Sequence, residues 1–156
     1  VASVGDSHYS RWLIEQMDDH QLARLAGESF CMITGADLAA LGLECAPPQD
    51  LAPGPNDDPQ DDDVGMEEDE GLRWPDVSQV DAWWQSNVRR FAVDTRHFVG
   101  APPSVAHCRA VLRDGWQRQR IAAADYLALL QPGTQLFNAC APAWRQRRWL
   151  DAMDGG

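Results

Sequence analysis

The stretch DDHQLARLAGESFCMITG, residues 18–35, contains the pattern that decides the fold. It opens with two aspartates, which favour a turn and an N-cap. Apolar side chains then recur at the spacing of one helix face: Leu22, Leu25, Ala26, Phe30 and Ile33. Gly35 follows, and glycine readily takes the left-handed conformation that closes a helix. The stretch therefore predicts a helix over 20–34 with these apolar side chains on its buried side.

A second stretch repeats this pattern. Residues 24–30, RLAGESF, align with residues 120–126, RIAAADY, and the same offset places Asp18 on Asp114. In both stretches, an acidic turn precedes an arginine, small apolar residues and an aromatic residue. HEAT repeats resemble this arrangement, because their second helix carries an early arginine that reaches the turn and small residues that allow close packing. The repeat predicts an all-α fold of HEAT-like helical hairpins, with each arginine bound at the turn of its own hairpin.

Capping residues and apolar spacing predict further helices on either side of the repeated stretches. The predicted ranges are 7–17, about 76–91, 105–114, 116–130 and a last helix that begins near 134 or 142 and ends at 153. The first of these helices has apolar side chains at the spacing of one helix face. That face consists of Tyr9, Trp12, Leu13 and Met17.

The stretch CAPPQDLAPGPNDDPQDDDVGMEEDE, residues 45–70, interrupts the helical pattern. Eleven acidic residues and no basic residue lie from Glu44 to Glu70, whereas the rest of the chain has 13 acids and 13 arginines. The net charge of −11 therefore resides in this acidic segment. Its five prolines and dense negative charge leave too little apolar surface to order the backbone. We predict a long, acidic, disordered loop inserted between helices.

These patterns divide one domain into three segments. We assign residues 1–44 to a helical hairpin repeat and residues 45–71 to an acidic, proline-rich flexible loop. Residues 72–156 are assigned to a tryptophan-rich helix, a second hairpin repeat and a C-terminal helix. The sequence begins at Val1 without an initiator methionine, so we expect a fragment of a longer chain whose earlier repeats precede it.

Composition argues against several function classes. No apolar run approaches the about 18 residues that a membrane-spanning helix needs, and no signal peptide opens the chain. We therefore expect a cytoplasmic protein without a membrane partner. The four cysteines lack metal-ligand or disulfide spacing, and we expect free, buried thiols. The chain outside the acidic segment has no basic excess, which argues against a nucleic-acid partner.

The sequence predicts no catalytic, cofactor or metal site. It has no glycine-rich phosphate loop, no nucleophile elbow and no zinc-protease motif, and its four histidines are scattered. The aspartates of the acidic segment lack the order and the central glycine of an EF-hand loop. Arg145, Arg147 and Arg148 form a small basic face that favours a solvated helix surface over a phosphate site. We therefore expect a binding protein rather than an enzyme.

The candidate partner-binding residues come from two parts of the chain. The acidic candidates are Asp57, Asp58, Asp61, Asp62 and Asp63, and the aromatic candidates are Trp83 and Trp84. The aspartates would attract a basic partner, and tryptophan is a common anchor of protein interfaces. Two structural alternatives stay open at this stage. The acidic segment also fits a solvated spacer, and the two tryptophans also fit core residues.

Four segments of the chain resemble one protein family. They are LARLAGESFCMITGADL, LRWPDVSQVDAWW, RHFVGAPPS and VLRDGWQRQRIAAADYLALLQPGTQLFNACAPAWRQ, and they cover most of residues 20–149. The family is a proteobacterial group of HEAT-repeat-like conserved hypothetical proteins. Its genes lie near type VI secretion genes, among those for PAAR-type spike proteins and their chaperones. At least one member is similar to the immunity protein of a nuclease effector.

The resemblance implies a function in protein binding. The leading expectation is an immunity protein that binds a type VI secretion effector, a nuclease toxin with a basic surface, and occludes that surface. The alternative is a secretion adaptor or chaperone that loads an effector onto the spike. The family has no catalytic motif, so the resemblance transfers no site residue to this chain. It also leaves the oligomeric state open.

Overall fold

The computed structural model describes residues 4–48 and 69–154, and most of these residues are helical. The α-helices are α1 (Ser10–Gln16), α2 (Ala23–Thr34), α3 (Val77–Asn87), α4 (Val105–Asp114), α5 (Gln117–Leu130) and α6 (Ala143–Asp154). Short 3-10 turns, Ser7–Tyr9 and Val88–Arg90, precede α1 and follow α3. A two-stranded antiparallel ladder pairs β1 (Glu44–Cys45) with β2 (Trp74–Pro75). The predicted helical class is confirmed, and the small ladder is an addition that the sequence analysis did not predict.

The helix boundaries follow from capping groups that are visible in the sequence. At the start of α4, the Ser104 hydroxyl accepts a hydrogen bond of 3.2 Å from the backbone N–H three residues on. At the start of α3, the Asp76 carboxylate accepts from Ser78 Oγ at 2.7 Å and from the Gln79 N–H at 3.1 Å. These two hydrogen bonds lower the pKa of Asp76 below its ordinary value. Gly35 closes α2 with a φ of 70°, as predicted.

The helices pack around two apolar clusters. The N-terminal cluster joins α1, α2 and α3 through buried side chains that include Leu13, Ile14, Met17, Phe30, Ile33, Val80 and Trp84. The C-terminal cluster joins α4, α5 and α6 through side chains that include Phe98, Cys108, Leu112, Ala123, Leu127, Phe137 and Leu150. The tryptophan-rich helix α3 therefore packs with the first hairpin. The predicted division into segments 1–44 and 72–156 instead groups this helix with the second hairpin.

The predicted apolar faces of α1 and α2 are only partly buried. Four of their side chains are more than two-fifths exposed: Tyr9, Trp12, Leu22 and Leu25. Two of them lie outside the helices, since α1 begins at Ser10 and α2 begins at Ala23. The other two point away from the narrow buried side of their helix, which in α1 is formed by Leu13, Ile14 and Met17. Apolar spacing alone does not show how wide the buried side is.

The two clusters meet where the end of α2 lies against residues 97–100. The Val99 N–H donates to the Met32 carbonyl at 2.7 Å, and the Gly100 N–H donates to the Ile33 carbonyl at 3.1 Å. The side chain of Met32 packs in the C-terminal cluster, although the rest of α2 belongs to the N-terminal one. A Cβ at Gly35 would lie 2.7 Å from the carbonyl carbon of Val99, so the backbones approach closely only because this residue is glycine.

Gly35→Ala tests whether this close approach holds the two clusters together. Gly42 is the matched control, because its φ of 66° is similar and a Cβ there would meet no atom within 4 Å. We expect Gly42→Ala to lower the free energy of unfolding by about 1–2 kcal/mol, the strain of a left-handed alanine. Gly35→Ala should lower it by about 1–3 kcal/mol more, because the new methyl group overlaps backbone atoms. Urea unfolding measures both values, and equal losses in the two variants would contradict the role of Gly35.

Candidate partner-binding surface

The acidic segment starts and ends at one place on the helical scaffold. The ladder pairs Glu44 with Pro75 and Cys45 with Trp74, so the chain that leaves at β1 returns beside it at β2. A backbone hydrogen bond of 2.8 Å from the Asp76 N–H to the Leu43 carbonyl extends this pairing. We call these paired residues, together with Asp69, the stem of the acidic segment. The ladder contacts α2, where Gly27 leaves room for the ring of Pro75.

A mostly buried ion pair ties the stem to α2. An Arg24 terminal guanidinium nitrogen lies 2.9 Å from the Asp69 carboxylate, and both side chains are less than 15% exposed, at 14% and 12%. The same guanidinium lies 5.0 Å from the centre of the Trp74 ring, a cation–π contact. A second pair, Arg73 with Glu44 at 3.4 Å, lies at the surface and contributes little. The stem therefore has one strong electrostatic anchor.

The predicted roles of the two repeated arginines are confirmed for one of them. Arg120 donates from Nε to the Leu112 carbonyl at 2.7 Å, close to the turn of its own hairpin. Arg24 instead forms its ion pair with Asp69, in the stem, and not with the turn at Asp18 as predicted. The difference arises from the tertiary structure. The ladder brings the Asp69 carboxylate, which is distant in sequence, closer to Arg24 than the turn at Asp18 is.

The five candidate aspartates, Asp57, Asp58, Asp61, Asp62 and Asp63, lie outside the described residues. The structure describes both ends of the predicted flexible segment 45–71, and these ends differ from the prediction. Cys45 belongs to a strand, and Asp69 is buried, with 8% of its surface exposed. These residues are held by backbone pairing and by the ion pair with Arg24. The predicted flexible segment is therefore too long at both ends.

The two candidate tryptophans lie in or against the N-terminal cluster. Trp84 is buried and stacks on Phe91 with 5.3 Å between ring centres. Trp83 is half-buried, and both indoles meet the ring of Phe30 edge-on, at 5.8 and 5.9 Å. This placement corresponds to the core alternative of the sequence analysis. Only the half-buried Trp83 presents an edge to solvent that a partner can contact without disturbing the cluster.

An apolar groove that the sequence analysis missed lies beside α5 and α6. Its volume is about 460 Å³, and its lining includes Ile121, Leu136, Phe137 and Trp149. Leu136 is 54% exposed, and Ile121 is also exposed. Leu136 and Phe137 stand side by side in the linker between α5 and α6, where polar residues are expected. That apolar pair in a linker is the sequence signal from which this groove could have been predicted.

Arginines gather in a second cavity on the other side of α6. It also has a volume of about 460 Å³, and its polar lining includes Arg113, Arg120, Gln146, Arg147 and Asp151. The sequence predicted that Arg147 belongs to a solvated basic face with Arg145 and Arg148. In the structure it lines one cavity with an arginine from α4 and an arginine from α5, which no spacing in the sequence reveals.

The cysteines are free thiols in two different environments. Burial, reinforced by the nearby negative charges of Glu28 and Asp37, raises the pKa of Cys31 to about 12. Cys108 is fully buried, and burial raises the pKa of its thiol too. Cys45 and Cys140 are exposed, so the prediction of buried thiols is wrong for these two. Among residues 4–48 and 69–154, no three potential metal-binding side chains come together.

No family model, no curated protein and no solved structure matches this chain. The resemblance to the HEAT-repeat-like family near type VI secretion genes therefore stays a prediction. The features of the described residues that bear on function are the stem, the groove and the arginine cavity.

Asp69→Asn tests the anchor of the stem. Removing the negative charge leaves the mostly buried Arg24 guanidinium without its carboxylate, so the free energy of unfolding should fall by about 3 kcal/mol. Glu44→Gln is the matched control, because its pair with Arg73 is longer, at 3.4 Å, and more exposed, at 34% and 65%, and should contribute about 1 kcal/mol or less. Urea unfolding of both variants and of the wild type gives the values. Similar small losses in the two variants would show that the Arg24–Asp69 pair is not an anchor.

Thiol modification tests the burial of the cysteines. At pH 8 only about one Cys31 thiol in ten thousand is ionised when its pKa is about 12, and the thiolate is the reactive form. Cys140 should therefore react quickly with an aromatic disulfide reagent, and Cys45 should react more slowly, because partial burial and the charge of Asp76 raise the pKa of its thiol. Cys31 and Cys108 should react only as the protein unfolds. The Cys45→Ser/Cys140→Ser double variant should lack the fast phase. A fast phase that persists in this variant would place a reactive thiol elsewhere.

Proposed function

We propose that this chain is an immunity protein that binds a type VI secretion effector, a nuclease toxin with a basic surface, and blocks it by occlusion. The supporting observation is the stem, where the ladder and the Arg24–Asp69 pair hold both ends of the acidic segment against α2. The proposal also includes HEAT-like stacking of the two hairpins, α1 with α2 and α4 with α5. In this proposal the protein acts by binding alone.

A tethered acidic segment suits the recognition of a nuclease. The surface that a nuclease uses to bind DNA phosphates is basic, and the acidic side chains of this chain compete for it. Because the segment from Glu44 to Glu70 has no basic residue, its charges are not neutralised by neighbours in sequence. Charge complementarity of this kind mainly accelerates association. Fixed ends also reduce the number of conformations that the segment loses on binding.

Apolar contacts would then hold the complex. The groove lined by Ile121, Leu136 and Trp149 offers an apolar surface with a rim that carries charges of both signs, Arg145 and Asp125. Interfaces of this kind usually have a small apolar centre surrounded by polar side chains. We propose that the acidic segment sets the rate of association and that apolar side chains of the partner set the rate of dissociation.

Stopped-flow binding to the effector encoded next to this gene tests the role of the acidic segment. We expect the association rate to fall about tenfold when Asp57, Asp58, Asp61, Asp62 and Asp63 are all changed to Asn, because steering by charge is lost. The association rate of the wild type should also fall as salt is added, since salt screens charge. The free energy of unfolding should not change in this variant.

The matched control removes the same amount of charge from the described surface. It changes five exposed side chains to their amides: Glu15, Asp18, Asp19, Asp94 and Asp114. Its association rate should stay close to that of the wild type. Equal rates for both variants at low and high salt would show that the acidic segment is a spacer.

Co-expression separates the immunity function from the adaptor alternative. Cells that produce the effector should survive when this chain is present, and survival should need binding. Binding in solution without rescue of the cells would favour an adaptor that loads the effector onto the secretion spike. Neither binding nor rescue would refute both functions.

A further inference from the structure

The cavity between α4, α5 and α6 carries an excess of positive charge. Its described lining includes three arginines, Arg113, Arg120 and Arg147, and the carboxylate of Asp151, and Arg113 has a partner of its own. The remaining lining residues are Gln146 and the apolar Ala143 and Leu150. This excess stands out because the chain as a whole has a net charge of −11. The cavity therefore has the charge of a site for an anionic group.

The guanidinium of Arg120 is held in place by neutral groups. It donates from Nε to the Leu112 carbonyl at 2.7 Å and from its terminal nitrogens to the side-chain oxygens of Gln117 and Gln146. Gln146 is buried, and its amide donates to the carbonyls of Ala139 and Ala141. No ion pair joins Arg120 to a carboxylate among residues 4–48 and 69–154. The half-buried Arg120 guanidinium is thus held in one orientation with no carboxylate partner in the part of the chain that the structure describes.

The other repeated arginine shows what such a position binds. Arg24 aligns with Arg120 in the two repeated stretches, and both lie near the start of the second helix of a hairpin. Arg24 is paired with the carboxylate of Asp69 at 2.9 Å, contributed by a segment outside its own hairpin. Arg120 aligns with Arg24 in sequence, has no carboxylate partner among the described residues, and lines the arginine cavity.

We propose that the cavity of Arg113, Arg120 and Arg147 is a binding site for an acidic side chain of a partner protein, with the carboxylate seated between Arg120 and Arg147. A planar guanidinium donates two parallel hydrogen bonds to a carboxylate, and these charge-assisted bonds are the strong ones. This site lies on the C-terminal cluster, apart from the stem, and does not depend on the proposed function.

A protein carboxylate fits the chain better than a phosphate of nucleic acid. The negative charge of the whole molecule repels a polyanion at long range, and it opposes the contact with many phosphates that nucleic-acid binding needs. One glutamate or aspartate on a neutral or basic partner surface meets little of that repulsion. The site also contains Asp151, which favours a ligand with a single charge over a dianion.

Nuclear magnetic resonance of the arginine Nε–H groups tests the site in the full chain. The probes are a capped pentapeptide with one central glutamate between glycines, the same peptide with glutamine in its place, and inorganic phosphate. We expect the Arg120 and Arg147 signals to shift with the glutamate peptide, to reach saturation at millimolar peptide and to be unaffected by the glutamine peptide. Phosphate should compete only weakly. The absence of a saturable shift with the glutamate peptide, or tighter binding of phosphate than of this peptide, would overturn the proposal.

Two substitutions on α6 separate the site from general charge attraction. Arg147→Gln removes a cavity residue, and Arg148→Gln removes the same charge from the next residue, which does not line the cavity. Loss of one charge-assisted hydrogen bond should weaken binding of the glutamate peptide about tenfold in the Arg147→Gln variant. Arg148→Gln should bind like the wild type. Both side chains are exposed, so both variants should keep the melting temperature of the wild type. Equal weakening in both variants would show that the peptide responds to charge alone.

Discussion

The last carbonyl groups of an α-helix have no partners within the helix and need donors from elsewhere. In α2, the carbonyls of Met32 and Ile33 accept hydrogen bonds from the N–H groups of Val99 and Gly100. The rest of the structure depends on this contact, because it joins the end of the first hairpin to the segment that leads into α4. The contact is possible only without a side chain at Gly35, where a Cβ would lie 2.7 Å from backbone.

The joined clusters hold two arginines in contrasting surroundings. Arg24 lies beneath the stem with a carboxylate and an indole as partners. Arg120 has only neutral hydrogen-bond partners among the residues that the structure describes, and it faces a cavity with Arg147. The first arrangement stabilises the base of the acidic segment, and the second leaves a positive charge available to a ligand. One sequence pattern thus leads to an internal anchor in one hairpin and to a candidate binding site in the other.

Local features of the sequence predicted the helices well. The helix caps make hydrogen bonds only to residues a few positions away, so the sequence predicts them without knowledge of the fold. These caps are Asp76, Ser104 and Gly35. The last helix begins at Ala143, the later of the two predicted starts. Pro142 lies directly before it, where the missing N–H of proline costs nothing because that N–H would have no partner within the helix. Side-chain burial was less predictable. Trp12 and Leu25 have helical spacing yet lie outside the narrow buried sides of their helices.

The sequence by itself determined the helical class, the helix ends and the concentration of negative charge between Glu44 and Glu70, since each depends on neighbours along the chain. Tertiary structure decided which charges meet. The pairing of Arg24 with Asp69 requires the ladder to fold back on α2. The arginine cavity requires α4, α5 and α6 to pack together, which places Arg147 and Arg120 in the lining of one cavity. Contacts between residues so far apart in the chain follow from packing in three dimensions, which local spacing does not encode.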